Sequence, residues 1–137
     1  KAQLFYTYLY GEQPSASHVR IMLPEEKENL IRQNAKEHAP EINEKISWSL
    51  HAVKKLRIEG LKKKKVENSL KDCIVVEDYP MEGRQLPGCL VLGFIDSDPV
   101  HAVIAIDGDF DRIFVITVYK PSSERWENDW KTRKAKD

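Results

Sequence analysis

At Cys73 the hydrophobic pattern of this chain changes period, from the 3.6-residue spacing of helices to the two-residue alternation of strands. Downstream, Cys73–Tyr79, Cys89–Ile95, Val100–Ile106 and Arg112–Tyr119 are short runs that read as strands. Turn formers separate them. Met81–Gly88 holds Gly83 and Pro87, Asp96–Pro99 is a turn signal, and Asp107–Asp109 reverses the chain. Short strands joined by short turns predict an antiparallel meander of about four strands. Pro121 ends the last strand, and Glu124–Lys136 reads as a short polar helix or tail carrying Trp126 and Trp130.

Upstream of Cys73 the signals are helical. Pro24 suits a first turn and Glu25, Glu26 and Glu28 suit the helix dipole, so a helix is expected from Pro24 to about His38, before Pro40. Its apolar content (Leu30, Ile31, Ala35) is thin, which marks a surface helix. Residues 41–59 read as an amphipathic helix with Ile46, Leu50, Val53 and Leu56 on the core side. The alternative is an extended Ile46–Ser49 with the helix starting after Ser49 as N-cap. Gly60 stops it, and Lys62–Leu70 reads as a further helix with Val66 and Leu70 inward. Nearer the start, Gln3–Tyr10 reads as a strand, Gly11–Ser17 as a loop and Val19–Leu23 as a short second strand. Residues 1–40 are thus an expected strand–helix extension. Residues 41–137 are the expected main α+β domain, with helices on one face of a C-terminal antiparallel sheet.

Charge constrains function. The chain has 22 basic and 22 acidic side chains among 137 residues, so no global field draws it to nucleic acid or membrane. The balance is local, however: residues 41–72 carry nine basic and five acidic groups, whereas residues 73–119 carry two and eight. No apolar stretch is long enough to span a bilayer, and no signal peptide is visible, so the cytoplasm is expected. The chain begins at Lys1 rather than Met, which leaves room for an upstream stretch. Cys73 and Cys89 sit in or beside apolar runs without metal-site spacing and read as buried free thiols. There is no Gly-rich phosphate loop, no HExxH and no metal-spaced Cys/His cluster, so no metal or cofactor is expected.

The titratable groups are then weighed singly. His51 follows Leu50 near a helix start, as a general acid or base or as a histidine bonded across the helix–sheet seam. His101 interrupts an apolar strand, so something must satisfy it: catalysis, substrate or a structural hydrogen bond. Thr117 and Tyr119 share a strand face, and a hairpin turn at Asp107–Asp111 brings His101 near position 117. Lys62–Lys65 is either a solvated face or a phosphate-contact surface. Arg125, Lys131, Arg133 and Lys134 interleave with Trp126 and Trp130, either to meet RNA or to pin the tail on the sheet.

Several segments together carry a family resemblance. They are Ser49-Leu-His-Ala-Val-Lys-Lys-Leu-Arg with Gly60, Val76-Glu-Asp-Tyr-Pro, Cys89-Leu-Val-Leu-Gly, Pro99-Val-His-Ala-Val, and Ile116-Thr-Val-Tyr-Lys-Pro with Trp126, Trp130 and Arg133. In order and spacing they resemble domain-of-unknown-function family 4258, which is similar to RelE- and MqsR-like ribonuclease toxins of bacterial toxin–antitoxin pairs. The resemblance implies a RelE/barnase-like fold and places functional weight on His51, Arg57, His101, Thr117, Tyr119 and Arg133. It also implies a cognate antitoxin, zinc-finger type in many members. Two positions depart: Glu59 stands where members usually have an arginine before the glycine, and Lys55 replaces another arginine. Lysine lacks the bidentate fork and glutamate repels phosphate.

The resulting expectation is a metal-independent endoribonuclease acting through the ribose 2′-hydroxyl. His101 and His51 are the candidate acid and base and Tyr119 a secondary donor. Arg57, Lys55, Thr117, Arg133 and Trp126 are the candidate RNA contacts. The competing expectation, favoured by Glu59 and the zero net charge, is a non-catalytic protein- or RNA-binding regulatory domain on the same scaffold.

Overall fold

A computed structural model describes residues 21–79 and 86–135. Its elements run α1 (Pro24–Glu37), β1 (Ile46–Trp48), α2 (Leu50–Glu59), α3 (Lys63–Ser69), a 3-10 turn (Leu70–Asp72), β2 (Ile74–Tyr79), β3 (Gly88–Ile95), β4 (Asp98–Asp107) and β5 (Arg112–Tyr119). The expected strand at Gln3–Tyr10 and loop at Gly11–Ser17 lie outside the described residues, as do residues 19 and 20 of the expected Val19–Leu23 strand and most of the Met81–Gly88 loop; the described Ile21–Leu23 is not a strand.

The class is α+β, with helices packed against a mixed five-stranded sheet in the order β1-β5-β4-β3-β2. The meander β2–β5 is antiparallel, and β3–β4 turns through Asp96 and Ser97, both at positive φ. Two left-handed residues match the twist of a tight hairpin, and aspartate tolerates that region better than branched residues do. The sheet departs from the expected four strands because Ile46–Trp48 adds a fifth, parallel to Ile113–Val115 of β5. A run of three residues has no readable period. Its place is fixed instead by Ile113 N–H donating to the Lys45 carbonyl and by His38 Nδ1 accepting from the Lys45 and Ile46 amides.

Ser49 then caps α2, its hydroxyl accepting from the Ala52 amide at 3.0 Å. Of the two readings for residues 41–59, the extended segment followed by a Ser49 cap is therefore the one observed. The late start rotates the helix. Ala52 and Leu56 are buried, whereas Leu50 and Val53, expected inward, face solvent at 73% and 46% exposure. α2 ends at Gly60, whose φ of 69° gives the left-handed cap that lets Leu61 N–H reach the Leu56 carbonyl. In α3, Val66 and the following Leu70 are buried as expected. At Gly93 of β3 an added Cβ would stand 2.8 Å from the Ser69 carbonyl, so the end of α3 approaches the sheet where no side chain fits.

The main core joins Ile31 and Ala35 of α1, Ala52 and Leu56 of α2, and Val66 and Leu70 to one sheet face, including Val91, Ala102, Ile104, Ile113 and Val115. α1 is a surface helix with a buried inner face, and its polar groups close the β2 edge. Glu28 accepts from the Val75 amide, Arg32 Nε donates to the Cys73 carbonyl, and Lys27 Nζ donates to Asp78 and to the Tyr79 and Gly88 carbonyls. Cys73 and Cys89 are free and buried, and burial pushes the Cys89 thiol up to about 12 and Cys73 higher still. Among the described residues no helix is long and apolar enough to cross a membrane.

Candidate functional site

The sheet face opposite the main core is formed by alternate residues of the same strands, and the chain after Tyr119 folds over it. Of the two readings for Glu124–Lys136, helix or tail, the described part to residue 135 is the tail. The tail is irregular and closed by an isolated bridge between Trp126 and Arg133. Asp129 organises it, accepting from the Lys131 and Thr132 amides and the Thr132 hydroxyl. Trp126 is buried under this knot, edge-on to His101 at a centroid distance of 4.5 Å.

His101 is fully buried at the centre of this layer. Its Nε2 lies 2.7 Å from the Trp130 carbonyl and its Nδ1 3.1 Å from the Tyr119 hydroxyl. A carbonyl only accepts, so Nε2 carries the proton and Nδ1 of the neutral ring accepts from tyrosine. Burial holds the His101 pKa below its usual value, against a smaller opposite pull from the Trp130 carbonyl, and burial likewise raises Tyr119. Trp130, whose carbonyl completes the clasp, stands at φ 60°, an uncommon conformation for a bulky residue.

His101 pairs with Tyr119 rather than lying near position 117, because the hairpin closes at Asp107–Arg112, which alone would set position 118 opposite it, and the bulge at Ile116 shifts β5 by one residue more. Thr117 lies opposite Val103. Above the cluster Arg133 stacks on Trp126 at 4.6 Å and grips Glu77 through two bonds of 2.6 and 3.1 Å. Tyr79 donates to the same carboxylate, and these bonds hold Glu77 below the usual carboxylate range. Glu77 was not legible as a partner, since nothing in β2 announces which tail cation it meets.

The structure thus brings His101, Tyr119, Trp126 and Arg133 together, but as a closed hydrogen-bonded layer. His51 belongs to a separate exposed place on α2, with its Nε2 3.0 Å from Thr117 Oγ1. On the same helix Lys55 pairs with Glu59 at 3.6 Å, and Arg57 is exposed. Glu59 also accepts from the Lys120 amide, so its carboxylate ties α2 to the end of β5. Beyond α2, Lys62 to Lys65 are exposed, and Lys63 lies over the Trp48 ring at 6.0 Å.

The family model described as "Domain of unknown function (DUF4258)" matches residues 48–120, more than half of the chain. The chain belongs to this family. The DUF4258 span runs from β1 through β5 and includes His51, Lys55, Arg57, His101, Thr117 and Tyr119; it ends before Trp126, Trp130 and Arg133. No curated protein and no solved structure matches the chain. Among the described residues of this family member, no group of three or more His, Cys, Asp or Glu side chains is placed to hold a metal ion.

Proposed function

We propose that this chain is a non-catalytic RNA-binding regulatory domain. The observation that carries the reading is residues 54–65, which hold seven basic side chains and one acidic in a chain of zero net charge. Lys54, Arg57, Lys62, Lys64 and Lys65 make no ion pair among the described residues, and the single acid, Glu59, is already engaged by Lys55 and the Lys120 amide. Unpaired cations on two consecutive helices suit a phosphate backbone, whose counterions they release. His101, meanwhile, has no exposed surface, and both of its ring nitrogens are occupied, which suits a structural role better than proton transfer.

The test is to titrate a labelled single-stranded RNA oligomer with the protein by fluorescence anisotropy at low salt, and to run the same samples on a denaturing gel. Binding with intact RNA is the expected result. Absence of binding would overturn the reading.

One observation favours a second reading, an endoribonuclease toxin of the RelE/MqsR-like kind with its antitoxin as partner. His51 is exposed, touches Thr117 and lies on the helix that carries Lys55 and Arg57. There His51, rather than His101, would take the ribose 2′-hydroxyl proton while the cations hold the phosphate. Cleavage that persists in excess chelator, leaves a 2′,3′-cyclic phosphate and disappears in His51→Ala would establish this reading in place of the first.

A further inference from the structure

Where α2 ends, Gly60 and Leu61, the β3–β4 hairpin and the residue after β5 line an open cavity of about 290 Å³. Three lysines, Lys62, Lys65 and Lys120, and two aspartates, Asp96 and Asp98, are among the residues that line it. Opposite charges in one small cleft ordinarily close on each other. Here no ion pair among the described residues joins any of these lysines to either aspartate, although other lysines and arginines, such as Lys27, Lys45, Lys55 and Arg133, do pair with carboxylates. Glu59 leaves the lysine side chains free as well, since it takes the backbone amide of Lys120. Leu61, Ile95 and Val100 supply apolar lining to the same cavity.

A ligand that satisfies both sets must carry an anion, a flat or apolar middle and hydrogen-bond donors. The cavity volume is at the lower end for a bound small molecule. We infer that it is a nucleotide subsite with a preference for guanine: the phosphate on Lys62, Lys65 and Lys120, the base against the apolar wall, and its Watson–Crick edge on Asp96 and Asp98. A carboxylate only accepts, and guanine alone offers it two adjacent donors, the ring N–H and the exocyclic amine. Adenine and cytosine offer the exocyclic amine beside an acceptor, and uracil one N–H between two carbonyls. The subsite continues the exposed lysines of residues 62–65, so as an RNA site it rests on the RNA-binding reading; as a site for a free nucleotide it does not.

Amide chemical-shift titrations of the full chain with GMP, AMP, glycine and inorganic phosphate test the site, alongside anisotropy with an all-uridine RNA and the same RNA carrying one guanosine. GMP is expected to shift residues 60–62, 95–99 and 120 and to bind about tenfold more tightly than AMP. The Asp96→Asn/Asp98→Asn double variant should lose that preference while keeping the left-handed turn, which asparagine tolerates. Lys65→Gln should weaken both nucleotides alike. Equal binding of GMP, AMP and phosphate would overturn the inference in favour of a bare anion site, and glycine binding as tightly as GMP would make it a zwitterion site. RNA bound regardless of guanosine, with no GMP shifts, overturns the subsite and leaves the RNA-binding reading standing. GMP bound without any RNA affinity supports a free-nucleotide site and overturns the RNA-binding reading.

Discussion

His101 shows how one polar side chain can organise a layer of apolar structure. Its two nitrogens are satisfied from β5 and from the tail that follows it, so the imidazole reports whether the tail is docked. His101→Ala should cost about 3 kcal/mol, because it leaves a cavity beside Trp126 and an unpaired Trp130 carbonyl. Thermal unfolding of the variant measures this, and an unchanged Tm would contradict the clasp. The pH dependence has a definite sign. With its folded pKa depressed, His101 binds fewer protons native than unfolded, so its contribution is complete above the unfolded value of about 6.5 and is lost as pH falls below it. Glu77, depressed by Arg133, contributes above its own unfolded range and loses stability further down. Tm should therefore fall between about pH 7 and pH 5, and His101→Asn should flatten the upper part of that fall. A wild-type Tm independent of pH over this interval would refute the assignment.

At the scale of elements, legibility in the sequence followed the length of the pattern. β3, β4 and β5 are each eight or more residues long, and their pattern and turn residues placed their ends to within two residues, β4 starting at Asp98 inside the expected Asp96–Pro99 turn. β1 has three residues, too few for a period, and without it the helix phase after Ser49 was misread and Leu50 and Val53 were turned inward. The closing pair Asp107–Arg112 and the bulge at Ile116 were equally silent; each moves the register by one residue, which is why His101 faces Tyr119 where position 117 was expected nearby. The candidate residues themselves were legible as unusual; their sorting into a buried clasp and an exposed helix face was not, because burial is decided by the tail. Close packing of α3 on β3 supplies a prediction here. Gly93→Ala should lose about 1–3 kcal/mol, since its methyl would meet the Ser69 carbonyl, which belongs to backbone and cannot swing away. A denaturant midpoint equal to that of the wild type would show that α3 can shift freely.

For the whole molecule, zero net charge conceals a division of labour. The acidic groups of residues 73–119 lie on the sheet segment, while the helices before it carry the surplus of cations. Such an arrangement supplies attraction to a polyanion on one side of the fold without the long-range field of a basic protein, so binding should be short-range and strongly salt-dependent. The most direct measurement is the affinity for a single-stranded RNA oligomer as a function of salt, for the wild type and for Lys62→Gln/Lys63→Gln/Lys64→Gln/Lys65→Gln. The logarithm of the association constant should fall linearly with the logarithm of salt, by about 0.7 per phosphate contact, and the quadruple variant should show a shallower slope at unchanged Tm. A slope that is the same in both proteins, or no measurable RNA affinity at low salt, would contradict the assignment of this helical surface to RNA.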